Sequence, residues 1–177
     1  YADSLMRQFP DMLFLNVVRD PRAQIASMNK AIIHDFDTLL NTHTWLEAHR
    51  AADAVLTEYP ERTMTIRYED FLADEAAVLK RICGFFGIAF LPNMVDVSRS
   101  QEARQISRMS ALWSTNCFAP IAANIDKYKK VLSLDEIAVI ETLTSDYMRR
   151  YGYERMTEAT AKIDVAAFES ARLASDA

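Results

Sequence analysis

The chain has 177 residues, half of them hydrophobic and a quarter charged, with a formal net charge of -5 at pH 7. This length suits one domain, or a large part of one, with a substantial core. The acidic balance gives no electrostatic drive toward nucleic acid, and no apolar stretch is long enough to span a bilayer. The two cysteines and three histidines show no metal-ligand spacing, so we expect no bound metal. Two free thiols suit a reducing compartment, and we therefore expect a soluble cytoplasmic protein.

The first strong signal is a strand followed by a helix. Residues 12–18 form a nearly continuous apolar run, which is typical of a buried parallel strand. Asp20 and Pro21 follow, a good N-cap residue and a residue suited to the first helical position. A helix is therefore expected over 21–31.

Arg19, between this strand and helix, and Ser27, two turns into the helix, form a candidate anion site. In open α/β sheets, ligands bind beyond the carboxyl ends of the strands, beside helix N-termini. A guanidinium can bind phosphate oxygens bidentately, and a hydroxyl can add a neutral donor. The alternative is that Asp20 only caps the helix and Arg19 only forms an ion pair.

The next elements alternate between helix and strand. Helices are predicted over 38–59 and 74–86, the second closed by Gly87, and a strand rich in β-forming residues lies between them at 62–68. This order predicts an α/β fold with a parallel sheet and crossover helices.

Tyr68 ends the second predicted strand. In a parallel sheet its ring would emerge at the same edge as Arg19, where an aromatic side chain can stack on a base or hydrogen-bond to it. Considered alone, a tyrosine at the end of a strand is more often a core or rim residue than a ligand contact. Glu69 and Asp70 fit the start of a helical turn better than acid–base catalysis.

The chain is less regular over 88–132, where its polar clusters include Ser114-Thr115-Asn116 and the lysines from Lys127 onward. Lys127 could offer positive charge to a phosphate or sulfuryl group, although such a cluster alone also suits a solvated surface. Ser133-Leu134-Asp135-Glu136 is a capping box, and it predicts a helix to about Tyr151.

Taken in order, these strings resemble the sulfotransferases that use 3′-phosphoadenosine 5′-phosphosulfate (PAPS). Residues 14–23, with Ser27 eight residues after Arg19, look like the family's 3′-phosphate-binding motif. Residues 66–71 resemble its Arg-Tyr-Glu-Asp segment, whose Tyr, here Tyr68, contacts the adenine.

The stretch from Ser114-Thr115-Asn116 to Lys127 is similar to the late cofactor loop of the tyrosylprotein sulfotransferase branch, to which this bacterial-type sequence is nearest in pattern. Tyr128 stands where that branch usually has Trp. The resemblance therefore adds Ser114, Thr115 and Lys127 to the implied nucleotide contacts.

The resemblance implies a P-loop-NTPase-like α/β fold, here with its N-terminal strand and P-loop missing, and an enzyme that transfers a sulfuryl group from PAPS to a hydroxyl or amine. Nothing in the sequence distinguishes small-molecule, peptide, carbohydrate and lipid acceptors. The family's Gly-bearing 5′-phosphosulfate loop and general base do not occur before the first strand, so we expect the catalytic residues upstream of Tyr1 and no activity from this chain alone. Residues 1–155 are then the C-terminal portion of a catalytic domain, and 156–177 an Ala-rich peripheral helical tail.

Two alternatives belong to other functional classes. A non-catalytic nucleotide-binding module would use the same site to sense a ligand. An α/β interaction domain would contain only an ordinary Arg-Asp cap at residue 19.

Overall fold

The computed structural model describes residues 2–31, 36–96, 100–109, 125–158 and 160–162. The helices are α1 (Ala2–Gln8), α2 (Pro21–Met28), α3 (Thr38–Glu58), α4 (Tyr68–Ala73), α5 (Glu75–Phe86), α6 (Gln101–Met109), α7 (Leu134–Leu143) and α8 (Ser145–Tyr151). The strands are β1 (Phe14–Val18) and β2 (Thr63–Arg67), and short 3-10 turns occur at Pro60–Arg62, Pro92–Val95 and Lys127–Lys130.

The chain divides into two compact units. Unit 1 contains Asp3–Val18 and Tyr59–Ala122, and unit 2 contains Arg19–Glu58 and Ala123–Ala177. The strands therefore belong to unit 1, and the longest helix, α3, belongs to unit 2.

The sheet of unit 1 confirms the predicted parallel pairing. β1 and β2 run parallel, with Phe14 opposite Thr63 at one end and Val18 opposite Arg67 at the other. Among the described residues the sheet has these two strands, so the fold is a helix-rich α/β arrangement with a small parallel sheet. Val17, in the middle of the apolar run, is 49% exposed, so the expected burial on both faces does not hold there.

Arg62 connects the beginning of β2 to the end of α1 within unit 1. Its Nη1 atom donates to the carbonyl oxygens of Met6 and Phe9, at 3.3 Å each, and its guanidinium lies 4.5 Å from the centre of the Tyr59 ring. Carbonyl groups at the end of a helix lack helical partners, so a guanidinium can satisfy several of them at once.

The core of unit 2 is formed by α2, α3, α7 and α8. Its main cluster consists of buried apolar side chains: Ile25, Met28, Trp45, Leu46, Ile140 and Tyr147. A second cluster contains Ala23, Ala26, Tyr128 and Ile137. Because α2 contributes to both clusters, the helix that begins at the predicted anion site is firmly packed in this unit.

Two predicted helices differ from the observed ones, one at its C-terminal end and one in its interior. α2 ends at Met28 because residues 30 and 31 continue as i to i+3 turns, in which Lys30 N donates to Ser27 O and Ala31 N to Met28 O. The predicted helix over 134–151 is divided at Thr144, whose hydroxyl donates to the Ile140 carbonyl oxygen at 2.7 Å. A side-chain hydroxyl that bonds to the preceding turn in this way bends a helix.

α6 was not predicted. None of its residues is buried, although Ala103, Ile106 and Met109 recur every three positions among polar and charged side chains. The predicted tail helix falls mostly on 163–177, which lie outside the described residues. The proposed domain boundary at residue 155 stays a prediction.

Candidate functional site

Arg19 lies at the predicted position, directly after β1 and before α2, and its side chain is partly buried. Val18, the residue before it, is 1% exposed. The guanidinium is therefore attached to a fixed piece of backbone between a strand and a helix.

Asp20 caps α2, as its sequence position predicts. Its Oδ1 atom accepts a hydrogen bond from the backbone N–H of Arg22 at 2.9 Å, and Pro21 occupies the first helical position. The same carboxylate is held by the Arg22 side chain, whose Nε and Nη2 atoms donate to its two oxygens at 3.0 and 2.7 Å. Because Arg22 pairs with this carboxylate and also with Glu141, it offsets only part of the Asp20 charge. Asp20 therefore repels an anion at the helix N-terminus less than an unpaired carboxylate would.

Ser27 lies on the same helix and is exposed. Its hydroxyl donates to the Ala23 carbonyl oxygen of the preceding turn at 3.0 Å. To donate to a ligand, this hydroxyl must rotate away from the helix backbone, which a staggered serine rotamer allows.

Lys127 begins the 3-10 turn of residues 127–130 and is exposed. Within the described part of the chain no ion pair involves Lys127, whereas Lys129 pairs with Asp126 at 2.6 Å. The turn packs on α2 through the buried ring of Tyr128, which lies in the cluster that contains Ala23. Unit 2 thus brings the turn of Lys127 onto the helix that carries Ser27.

Tyr68 is the first residue of α4, so β2 ends one residue earlier than predicted. Its side chain is partly buried. Glu69 and Asp70 lie in the first turn of this helix, which confirms their predicted helical role. Arg67 pairs with Asp70 at 3.6 Å.

Arg22 and Glu141 were not singled out by the sequence reasoning. Both are buried, and Arg22 Nη1 donates to Glu141 Oε1 at 2.6 Å. Burial opposes the charge on Arg22, but the hydrogen bonds and charge of Asp20, the charge interaction with Tyr128 and the hydrogen bond to Glu141 together raise the pKa of Arg22. One sequence signal could have identified Glu141. It directly follows Ile140, which belongs to the apolar face of the predicted helix, and a charged residue at such a position needs a buried partner.

Two predicted site residues, Ser114 and Thr115, lie outside the described residues. In the described ranges, no group of three or more His, Cys, Asp and Glu side chains is arranged to hold a metal ion. No helix in those ranges is long and apolar enough to cross a membrane.

Comparison with protein families gives a match between the sulfotransferase family and residues 1–92 of this chain. This range contains β1, α2, β2 and α4. It therefore includes three of the predicted nucleotide contacts, Arg19, Ser27 and Tyr68.

Among curated proteins, the chain is similar to the omega-hydroxy-beta-dihydromenaquinone-9 sulfotransferase Stf3 of Mycobacterium bovis and of Mycobacterium tuberculosis. Each is 26% identical over an alignment of 177 positions, gaps included, that covers 90% of this chain and 40% of the relative. Carbohydrate sulfotransferase 5 of Mus musculus is 29% identical over an alignment of 106 positions, gaps included, that covers 48% of this chain and 27% of the relative. The chain thus spans less than half the length of these relatives, and no solved structure matches it.

Proposed function

Since the chain belongs to the sulfotransferase family, we propose that it holds the nucleotide end of PAPS while a sulfuryl group is transferred to a hydroxyl or amine acceptor. PAPS supplies the sulfuryl group. The residues of this chain bind and orient the 3′-phosphate and the adenine, and none of them is assigned as the general base.

The observation that carries the proposal is the set of donors gathered on α2 and on the turn packed against it. Arg19 precedes the helix, Ser27 is exposed on it, and Lys127 begins the turn. A guanidinium, a hydroxyl and an ammonium are the groups that bind a phosphate dianion, and the helix N-terminus adds a favourable dipole. The nearby carboxylate of Asp20 is paired with Arg22, which reduces its repulsion of an anion.

Tyr68 is proposed as the adenine contact. Val18 and Arg67 are register partners at the ends of β1 and β2, and Arg19 and Tyr68 are the next residues along the chain. An aromatic ring with a hydroxyl suits a purine, because it can stack on the base or hydrogen-bond to it. Ser114 and Thr115 are proposed to join Lys127 in the late cofactor loop.

The fold type, the domain boundaries, the cellular location and the class of acceptor are also part of the proposal. Family membership supports a P-loop-like fold. We propose in addition that residues 1–155 belong to a cytoplasmic catalytic domain and 156–177 to a peripheral tail. The relatives' names give a dihydromenaquinone derivative and a carbohydrate, which supports a small-molecule or carbohydrate acceptor.

Calorimetric titration with 3′-phosphoadenosine 5′-phosphate tests the proposal. We expect Arg19→Ala to lose about 2 kcal/mol or more of binding free energy, because it removes a charged contact to the phosphate. Arg149→Ala is the matched control, since it removes an exposed guanidinium that pairs with Asp146, and it should bind like the wild type. Equal affinity of the wild type and Arg19→Ala would overturn the assignment of Arg19, and binding by neither would favour the interaction-domain alternative.

A further inference from the structure

Glu141 is a fully buried carboxylate on α7, with 0% exposure. Besides Arg22, its Oε1 atom accepts a hydrogen bond from Met156 N at 2.7 Å. Its Oε2 atom accepts from the backbone N–H and the hydroxyl of Thr157, at 3.0 and 2.6 Å. Burial opposes the charge, yet the bonds from Thr157, Met156 and Arg22 together lower the pKa of Glu141, so this carboxylate is ionised at neutral pH.

Arg22 carries the influence of Glu141 to the start of α2. Its Nε and Nη2 atoms hold Asp20, and its Nη1 atom donates to Glu141 and also to the Glu154 carbonyl oxygen at 2.9 Å. All three nitrogens are therefore engaged within the protein, and Arg22 organises the helix start instead of contacting a ligand.

Tyr128 connects the same cluster to the turn of Lys127. The guanidinium of Arg22 lies 4.9 Å from the centre of the Tyr128 ring, and the Tyr128 hydroxyl donates to the Met156 sulfur at 3.3 Å. Burial raises the pKa of Tyr128 to about 12, which keeps the phenol protonated as a donor. The residue that follows Lys127 is thus held by Arg22 on one side and by the chain after α8 on the other.

We infer that Glu141 is a positioning residue for phosphate binding, an inference that rests on the proposed function. Glu141 acts through Arg22, which fixes Asp20 immediately after Arg19 and supports Tyr128 immediately after Lys127. One buried carboxylate therefore sets the backbone next to two of the proposed phosphate contacts.

A buried ion pair is a poor source of net stability, because taking both charges out of water offsets much of their attraction. A fully hydrogen-bonded network instead fixes the geometry of its side chains, because a buried charge that leaves its partner is strongly destabilised. Glu141, Arg22 and Asp20 form such a network, and it lies beside the end of the helix where an anion is to be bound.

The test compares the affinities of 3′-phosphoadenosine 5′-phosphate and adenosine 5′-phosphate, which differ only in the 3′-phosphate. In Glu141→Gln, we expect the affinity ratio of the two nucleotides to fall about tenfold or more, because a small displacement of groups held in a fixed geometry is costly. The affinity for adenosine 5′-phosphate should stay unchanged. Thr157→Val removes a single hydrogen-bond donor to Glu141 and leaves all charges in place, so it should lower the same ratio by less. This variant tests the inference if Glu141→Gln does not fold.

Glu136→Gln is the control, because it changes a carboxylate on the same helix that bonds to Ser133 and Thr38 and not to Arg22. It should lower the melting temperature and leave the nucleotide ratio as in the wild type. A wild-type ratio in both Glu141→Gln and Thr157→Val would overturn the positioning role alone. A wild-type protein that does not distinguish the two nucleotides would overturn the proposed function, and this inference with it.

Discussion

His49 shows what burial does to a single titratable side chain in unit 2. It is 9% exposed, and its ring stacks on that of Trp45 with 3.5 Å between centroids. Its Nδ1 atom lies 2.9 Å from the Trp45 carbonyl oxygen, which only accepts, so the proton is on Nδ1. Burial lowers the pKa of His49, and it outweighs the Trp45 hydrogen bond and the charge of Asp53, which act in the opposite direction.

This pKa gives a signed prediction for stability. The unfolded chain takes up a proton at His49 below about pH 6.5 while the folded chain resists it, so the free energy of unfolding should fall as pH decreases from about 7 to about 5.5. His49→Gln should reduce that decrease, by at most about 1.4 kcal/mol per pH unit. Denaturant titrations across this window measure it.

His43→Gln provides the comparison, because it removes another histidine of α3 and leaves His49 in place. The decrease should persist in this variant. If the free energy of unfolding of His49→Gln depends on pH as that of the wild type does, the conclusion that His49 is buried in its neutral form is wrong.

At the scale of elements, α5 ends where Gly87 was predicted to close it. Gly87 has a φ of 66°, in the left-handed region, and Ile88 N donates to the Cys83 carbonyl oxygen at 2.9 Å. Gly84 lies inside the same helix with no positive φ. A Cβ atom added at either glycine meets no other atom within 4 Å, so backbone conformation alone decides the effect of an added methyl group.

The two glycines should therefore respond to alanine with opposite signs. Gly87→Ala should destabilise the protein by about 1–2 kcal/mol, because a left-handed conformation is strained for any residue with a Cβ atom. Gly84→Ala should stabilise it by roughly 0.5–1 kcal/mol, because alanine loses less conformational freedom in a helix. Denaturant unfolding of both variants measures the difference, and a shift in the same direction for both would contradict this description of the helix end.

Elements with local signals were predicted from the sequence to within a few residues. The capping box of Ser133 and Glu136 is present, and the cap at Asp20 forms as expected. α6 is an exception, since it was missed although Ala103, Ile106 and Met109 recur at helical spacing and the Ser100 hydroxyl accepts from the Ala103 N–H at 3.1 Å. The division at Thr144 depends on a hydroxyl rotamer that the helix pattern does not specify.

At the scale of the whole molecule, the sequence predicted the parallel α/β class and the family, and both are confirmed. It did not predict the buried network of unit 2. Arg22 and Glu141 lie 119 positions apart, and a long-range pair of this kind leaves no local periodicity to detect. The PAPS contacts of Arg19, Ser27 and Tyr68 stay predictions.

The central claim is that Arg19 binds the 3′-phosphate of the nucleotide. It is tested most directly by a thermodynamic cycle that combines two proteins, the wild type and Arg19→Ala, with two ligands, one carrying the 3′-phosphate and one lacking it. Calorimetry measures the binding free energy of each of the four pairs. We predict that loss of the 3′-phosphate costs the wild type about 2 kcal/mol or more and costs Arg19→Ala much less, so that the two changes are coupled by at least about 1.5 kcal/mol. Equal costs in the two proteins would contradict the claim.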